Sequence, residues 1–171
     1  MFARLAIAAC LLLVVASCST APTVVTLMHT KASVQLLRNE ARYRLPELMI
    51  KQDSETSDVS LACDADSQGL TRYWESSTIA LFNNSFAARA VTVADNLVAS
   101  FTDQGWVAAR TEAPGLVHTE LTKPGSFAVM EIDAVPKSDG VRAEVRITAN
   151  GPCVQTEGRD SAEVKLLERE Y

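Results

Sequence analysis

LVHTELTKPGSFAVMEIDAVPKSDGVRAEVRITAN, residues 116–150, alternates apolar and polar side chains between two turn signals. A period of two is the mark of a half-buried β-strand. Pro124-Gly125 suits a tight turn, Pro fixing φ and Gly supplying φ > 0, and Pro136 to Asp139 makes a longer one. The predicted strands are 116–122, 126–135 and 140–149. A turn at Pro124-Gly125 sets Leu121 opposite Ala128, Thr119 opposite Met130 and Val117 opposite Ile132. A turn at 136–139 sets Ile132 opposite Ala143, Met130 opposite Val145 and Ala128 opposite Ile147. Both pairings leave the same face of the middle strand apolar, which supports a three-stranded meander. The other face carries His118, Glu120, Glu131, Asp133, Arg142, Glu144 and Arg146. In this register His118 faces Glu131, and Asp133 faces Arg142.

Working toward the N-terminus, Pro114-Gly115 predicts another tight turn and residues 106–112 another strand. A helix is expected before it, from about Phe86 to Gln104. Ala87, Ala90, Val91, Ala94, Leu97, Val98 and Phe101 form its apolar face. Gly105 stands where a left-handed residue closes a helix, with Trp106 placed to pack on Phe101, the Schellman arrangement. Asn83-Asn84-Ser85 supplies a turn and an N-cap. Thr71 to Phe82 is rich in aromatic and β-branched residues and reads as a strand. Lys51 to Ser60 lacks any period and holds six charged or hydroxyl residues in succession from Asp53 to Asp58, so a loop is expected there. A first helix is predicted from Val24 to Leu45, burying Leu27, Val34, Leu37, Ala41 and Leu45. Pro46 breaks it, with one further turn through Leu48 and Met49. Lys31, Arg38 and Arg42 form a basic stripe beside the apolar one, expected to face solvent or, near a membrane, lipid headgroups. Past Cys153, Ser161 to Glu170 reads as a short terminal helix. The chain thus reads α-β-α-β-β-β-β: an α+β single domain, two helices on one face of an antiparallel sheet of about five strands.

At the N-terminus Arg4 precedes an unbroken apolar run, Leu5 to Ala16. This is too short to span a bilayer and matches the h-region of a signal peptide. The small residues Ala16 and Ser17 directly before Cys18 resemble the lipobox of bacterial lipoproteins. That resemblance implies diacylglyceryl transfer to Cys18 and cleavage before it. Residues 1–17 are then a signal peptide, 18–23 a lipidated tether, and 24–171 the domain. The implied location is the cell membrane, lipid-anchored on its extracytoplasmic face, or the outer membrane where the source has one. More loosely, the chain is similar to small actinobacterial lipoproteins of uncharacterised function. The shared features are a lipobox, an Arg-containing helix ending in Leu-Pro, an Arg-Tyr-Trp strand, a helix ending in Gly-Trp, and a meander closing on Gly-Pro-Cys.

Processing discards Cys10 and lipidates Cys18, leaving Cys63 and Cys153 in an oxidising compartment, where a structural disulfide is expected. Neither has a CxxC partner or a nearby His, so a metal site lacks ligands. A bond between them favours the 71–82 strand lying beside the last strand. The rival arrangement runs it parallel to the second strand through a right-handed crossover.

Cleavage before Cys18 leaves 15 basic and 21 acidic side chains, a formal charge of −6. An acidic domain of this kind is repelled by nucleic acid, which excludes it as a bulk partner. The chain carries no GxSxG, HExxH, Walker loop or dinucleotide fingerprint. No cofactor is called for, and no nucleophile is tied by spacing to His29 or His118. The expected role is a lipid-anchored binding or interaction module whose partner is an envelope protein or a small ligand. His118, Glu131, Arg142 and Arg146 form its candidate interaction face. A carrier of a small amphipathic ligand, with Trp74 lining a pocket, is the alternative, and a small envelope hydrolase is a third class.

Overall fold

The computed structural model describes residues 25–64, 69–138 and 142–169. Cys18, the signal peptide at 1–17 and the tether at 18–23 lie outside the described residues. Helix α1 spans Leu27–Tyr43, α2 Ala90–Thr102 and α3 Ala162–Arg169. The strands are β1 Ile50–Ala62, β2 Thr71–Phe82, β3 Val107–Ala113, β4 Leu116–Thr122, β5 Val129–Val135, β6 Glu144–Asn150 and β7 Val154–Gln155. They form one antiparallel sheet in the order β1-β2-β6-β5-β4-β3, with β7 also paired to β2. The fold class is therefore α+β, in a single domain. The strand and helix counts among the described residues are seven and three, against about five strands and two sheet-covering helices expected, and the third helix, α3, falls within the expected terminal helix at Ser161–Glu170.

The 71–82 strand lies antiparallel beside the last long strand, β6, so the parallel crossover is ruled out. The Cys63–Cys153 disulfide is present, with Cα atoms 6.1 Å apart. Cys63 directly follows β1 and Cys153 directly precedes β7, the two strands that flank the start of β2.

Strict alternation along β2, β5 and β6 builds the core. Trp74, Ala80 and Phe82, Met130, Ile132 and Ala134, and Val145, Ile147 and Ala149 all point to the helix side and are buried. The predicted face of the first helix is buried in full, Leu27, Val34, Leu37, Ala41 and Leu45 being at most 9% exposed. Burial of each large apolar side chain contributes about 1.5–3 kcal/mol. Thr26 caps α1 by accepting from the His29 backbone N–H. Arg44 closes it, two residues before Pro46, and a single 3-10 turn at Glu47–Met49 follows. A 3-10 stretch, Asn84–Arg89, precedes α2. Asn83 does not cap it with its side chain; its amide donates to Leu48 O at 3.4 Å. At the end of α2, Trp106 N donates to Phe101 O at 3.2 Å and Gly105 N to Thr102 O at 2.9 Å, with Gly105 at φ +86. The Phe101 and Trp106 rings meet edge-on with centroids 5.8 Å apart. This is the Schellman closure.

The meander keeps its predicted faces but not its predicted partners. Leu121 pairs with Met130, Thr119 with Ile132 and Val117 with Ala134. This is a shift of two residues. Ser126 N donates to Lys123 O, closing the Pro124-Gly125 turn. The Ser126 hydroxyl then holds the Ala128 backbone, so pairing with β4 resumes only at Met130. A Pro-Gly turn with Gly125 at φ +82 has a twist that does not feed directly into a two-residue hairpin. Between β5 and β6, Ile132 pairs with Ile147 and Met130 with Ala149, a shift of four. Pro136 cannot carry the ladder onward, and the Ala143 carbonyl accepts from Phe82 N of β2 instead. Shifts of two and four leave the parity unchanged, so the apolar face survives both. His118 accordingly faces Asp133 rather than Glu131, and Asp133 faces Arg146 rather than Arg142.

The expected loop at Lys51–Ser60 is instead most of β1. Its partner is the basic stripe of α1, which is neither solvated nor free for lipid. Arg38 Nη2 lies 3.3 Å from Asp58 Oδ2, with side chains 9% and 1% exposed. Arg42 grips Asp53 with two bonds of 2.7 and 2.9 Å and reaches Glu47 at 3.1 Å. Asp53 and Asp58 stand an odd number of residues apart, which in a regular strand places them on opposite faces. A bulge between Ser54 and Thr56 adds the residue that turns both toward α1. Lys31 is also buried, its Nζ donating to Leu167 O at 2.7 Å and lying 5.0 Å from the centre of the Trp74 ring.

Helix α1 crosses the end of β6 at Gly151, where a Cβ would come within 1.9 Å of Thr30 Cγ2. Gly151→Ala is therefore expected to destabilise the fold by about 1–3 kcal/mol through overpacking. Urea unfolding measures it, and an unchanged midpoint would mean that the helix can move away without cost.

Candidate functional site

The face of the sheet opposite the helices is polar and open. Because β2, β6, β5 and β4 alternate in register, its side chains fall into rows across the strands. One row runs Ile79, Arg146, Asp133, His118. The next runs Ser77, Thr148, Glu131, Glu120. At the β2 end Glu75 faces Asn150, with Tyr73 beyond it. The β2, β6 and β5 members of these rows, with Tyr73, Glu75 and Asn150, line a groove of about 510 Å³, and His118 and Glu120 of β4 lie outside it.

Its charges are arranged unevenly. His118 Nδ1 and Asp133 Oδ1 are 2.7 Å apart. Arg146 Nη2 reaches Glu144 at 3.4 Å on its own strand. Glu131 stands opposite Glu120 and accepts a 2.9 Å bond from the Asn150 amide. Burial, then the charge of Glu131, raises the pKa of Glu75 above the ordinary glutamate value. Burial, then the Glu75 and Glu131 carboxylates, raises that of Tyr73. Carboxylates outnumber cations here, and the groove disfavours further negative charge. Asn150 Oδ1 and Thr71 Oγ1 are buried and accept no hydrogen bond from a described residue. Such acceptors are costly until a donor reaches them.

A carboxyl whose folded pKa lies above its unfolded one binds more protons in the folded state. Stability then falls as pH rises from the ordinary glutamate range through the folded pKa, and is level above it. Glu75→Gln removes this loss. The variant is expected to gain on the native chain as pH climbs from acid to neutral, and melting curves at both ends of that range test it. A melting-temperature difference that does not change with pH would remove Glu75 from the desolvated pair.

Of the predicted interaction face, His118, Glu131 and Arg146 share this side of the sheet. Arg142 does not belong to the rows. It precedes β6 and lines a separate depression with Lys51 and the Asn83–Ser85 turn. Tyr73, Glu75 and Asn150 were missed as site residues. A signal for the first two was present: once Trp74 is assigned inward, alternation sends Tyr73 and Glu75 outward. Trp74 lines no pocket, being 0% exposed with its indole N–H 3.4 Å from Asp58. Among the described residues no cluster of His, Cys, Asp and Glu is arranged to hold a metal ion, and no helix is long and apolar enough to cross a membrane.

Comparison with protein-family models, with curated proteins and with solved structures finds no match to this chain.

Proposed function

We propose that the chain is a cell-envelope lipoprotein, anchored through lipid on Cys18, whose open sheet face is a non-enzymatic binding surface. One observation carries the binding reading. The helix side of the sheet is filled by apolar side chains, with Trp74 fully buried among them, and the depression of about 670 Å³ at its α3 end carries the charged side chains Asp58, Asp64, Arg72, Arg159 and Glu168, unlike the apolar pocket a lipid carrier needs. The polar side is left open, with Glu75, Glu131 and Asp133 crowded along one groove. The chemistry it suits is a basic, donor-rich segment of a partner in the envelope. Hydrolase chemistry would need a nucleophile beside His118, and the close partner of His118 is instead the carboxylate of Asp133.

The test is a photocrosslinking residue placed at Thr148, in the groove, and separately at Lys165 on α3, in intact cells. Capture of a discrete partner from Thr148 alone, abolished by Glu131→Lys, supports the reading. Equal capture from both positions sinks it. Glu131 is half-buried and holds one bond from Asn150, so Glu131→Lys should cost about 1 kcal/mol and leave the fold intact, which circular dichroism checks.

The anchor makes its own prediction. Acyl chains contribute about 0.8 kcal/mol per buried CH₂, so two of them hold a protein firmly on a membrane. Cys18→Ala should lose fatty-acid labelling and either leave the membrane fraction or accumulate as uncleaved precursor. Equal labelling of variant and native chain would refute the lipidation.

A further inference from the structure

The sheet ends in two edges that differ in how they are guarded. An unpaired edge offers its backbone N–H and C=O groups to any extended chain, and proteins blunt such edges with bulges, charges or covering elements. Strand β1 has two irregularities, at Ile50/Gln52 and Ser54/Thr56, and is gripped by Arg38 and Arg42 of α1. Strand β3 has no bulge, and its charges are one of each sign, Arg110 and Glu112. It pairs with β4 without interruption from Val107↔Thr122 to Ala113↔Leu116. All seven of its residues are exposed, and it contains neither Pro nor Lys.

We propose that this edge is a dimerisation surface, at which β3 pairs antiparallel with β3 of a second copy about a two-fold axis through Thr111. Backbone parity restricts the register. The two-residue connection at Pro114-Gly115 makes Ala113↔Leu116 a bonded pair. Val107, Ala109 and Thr111 then exchange their hydrogen bonds with β4, while Ala108, Arg110 and Glu112 direct theirs outward. An added antiparallel strand must match outward-directed residues to outward-directed residues. A two-fold at Arg110 opposes two arginines, and one at Glu112 opposes two glutamates. A two-fold at Thr111 opposes Arg110 to Glu112 of the other copy, twice. Opposite charges directly across strands are favourable and like charges unfavourable, so the strand is complementary to itself in this register alone.

The side chains are already held for it. Arg110 Nε lies 2.8 Å from Glu112 Oε1, and its Nη1 bonds Asp95 of α2. Pairing would convert two such Arg–Glu couples into one alternating ring of four charges on the helix side. Ala109 would face Ala113 of the other copy, small against small, so nothing blocks close approach. The axis stands perpendicular to the sheet, so the open polar faces of both copies lie on the same side. The dimer would present two grooves to one partner or one surface.

The test uses the full chain in its membranes. Thr111 would face its own symmetry mate as a non-bonded pair, with Cα atoms about 4.5 Å apart, inside the span a disulfide bridges. Thr111→Cys should give a reducible band of twice the mass that the native chain lacks. Ala109→Cys should give none alone, but should couple to Ala113→Cys when the two are co-expressed. Arg110→Glu or Glu112→Arg should each cut the Thr111→Cys dimer about tenfold, and the two together should restore it. Circular dichroism checks that every variant is folded. Three results would overturn the proposal: no Thr111→Cys dimer, no rescue by the double exchange, or crosslinking of Thr111→Cys to a different protein, which would make a foreign strand the occupant.

Discussion

Asp58→Ala is expected to destabilise the protein by about 3–5 kcal/mol, because it strands a buried cation. The Asp58 side chain is 1% exposed and serves two donors at once, the guanidinium of Arg38 at 3.3 Å and the indole N–H of Trp74 at 3.4 Å. Both donors are buried, Arg38 at 7% and Trp74 at 0% exposure, so removing the carboxylate leaves each short of a partner. The pair itself is not a strong source of stability, since desolvating two charges offsets most of their attraction. Its removal by halves is what costs. Asp53 provides the contrast. It binds Arg42 with better geometry, yet its side chain is 44% exposed, so Asp53→Ala should cost about 1 kcal/mol or less. Arg38→Met combined with Asp58→Ala should recover part of the loss, since no orphaned charge remains. Urea unfolding of the single and double variants gives all three numbers. If Asp58→Ala cost no more than Asp53→Ala, the α1–β1 interface would be solvated, and charge pairing would not be what orders β1.

That interface also shows where sequence reading stopped. The apolar face of α1, the Gly105 closure of α2 and the parity of the meander rest on local periods, and each could be read directly. Strand β1 could not, because its bulge destroys alternation and its helix-side residues are carboxylates. Only the pairing of Arg38 and Arg42 with Asp58 and Asp53 explains why so polar a stretch is ordered, and that pairing spans two elements. The basic stripe and the acidic run were both visible as charge patterns. Reading each as solvated missed that they answer one another. The groove failed differently. Faces follow from parity, but partners follow from loop geometry. The Ser126 turn and Pro136 moved His118 from Glu131 to Asp133 and left Arg142 outside the rows.

Loss of the Cys63–Cys153 bond is the other large effect expected. It closes a separation of 90 residues, for which the chain-entropy relation gives a contribution of about 4.6 kcal/mol. For a domain of this size that corresponds to a fall in melting temperature on the order of 10 °C in the Cys63→Ser/Cys153→Ser variant. The bond ties the end of β1 to the start of β7, so its removal frees both flanks of the first residues of β2 together. On the β7 side few other ties remain. Thr156 N donates to Leu70 O at 2.7 Å, and its hydroxyl reaches Gly69 O and Leu70 O. Beyond it α3 is held chiefly through Val164, Leu167 and the bond from Lys31. Hydrogen exchange should therefore rise first in β7 and α3, and in β1 beyond Val59, while β4, β5 and β6 stay protected. The global and local readouts separate two accounts of the bond. A lower melting temperature with unchanged native-state exchange would mean that it acts on the unfolded chain alone. Faster exchange confined to β7 and α3 would mean that it also holds the C-terminal elements in place. Two free thiols in the unreduced, unfolded native chain would refute the bond itself.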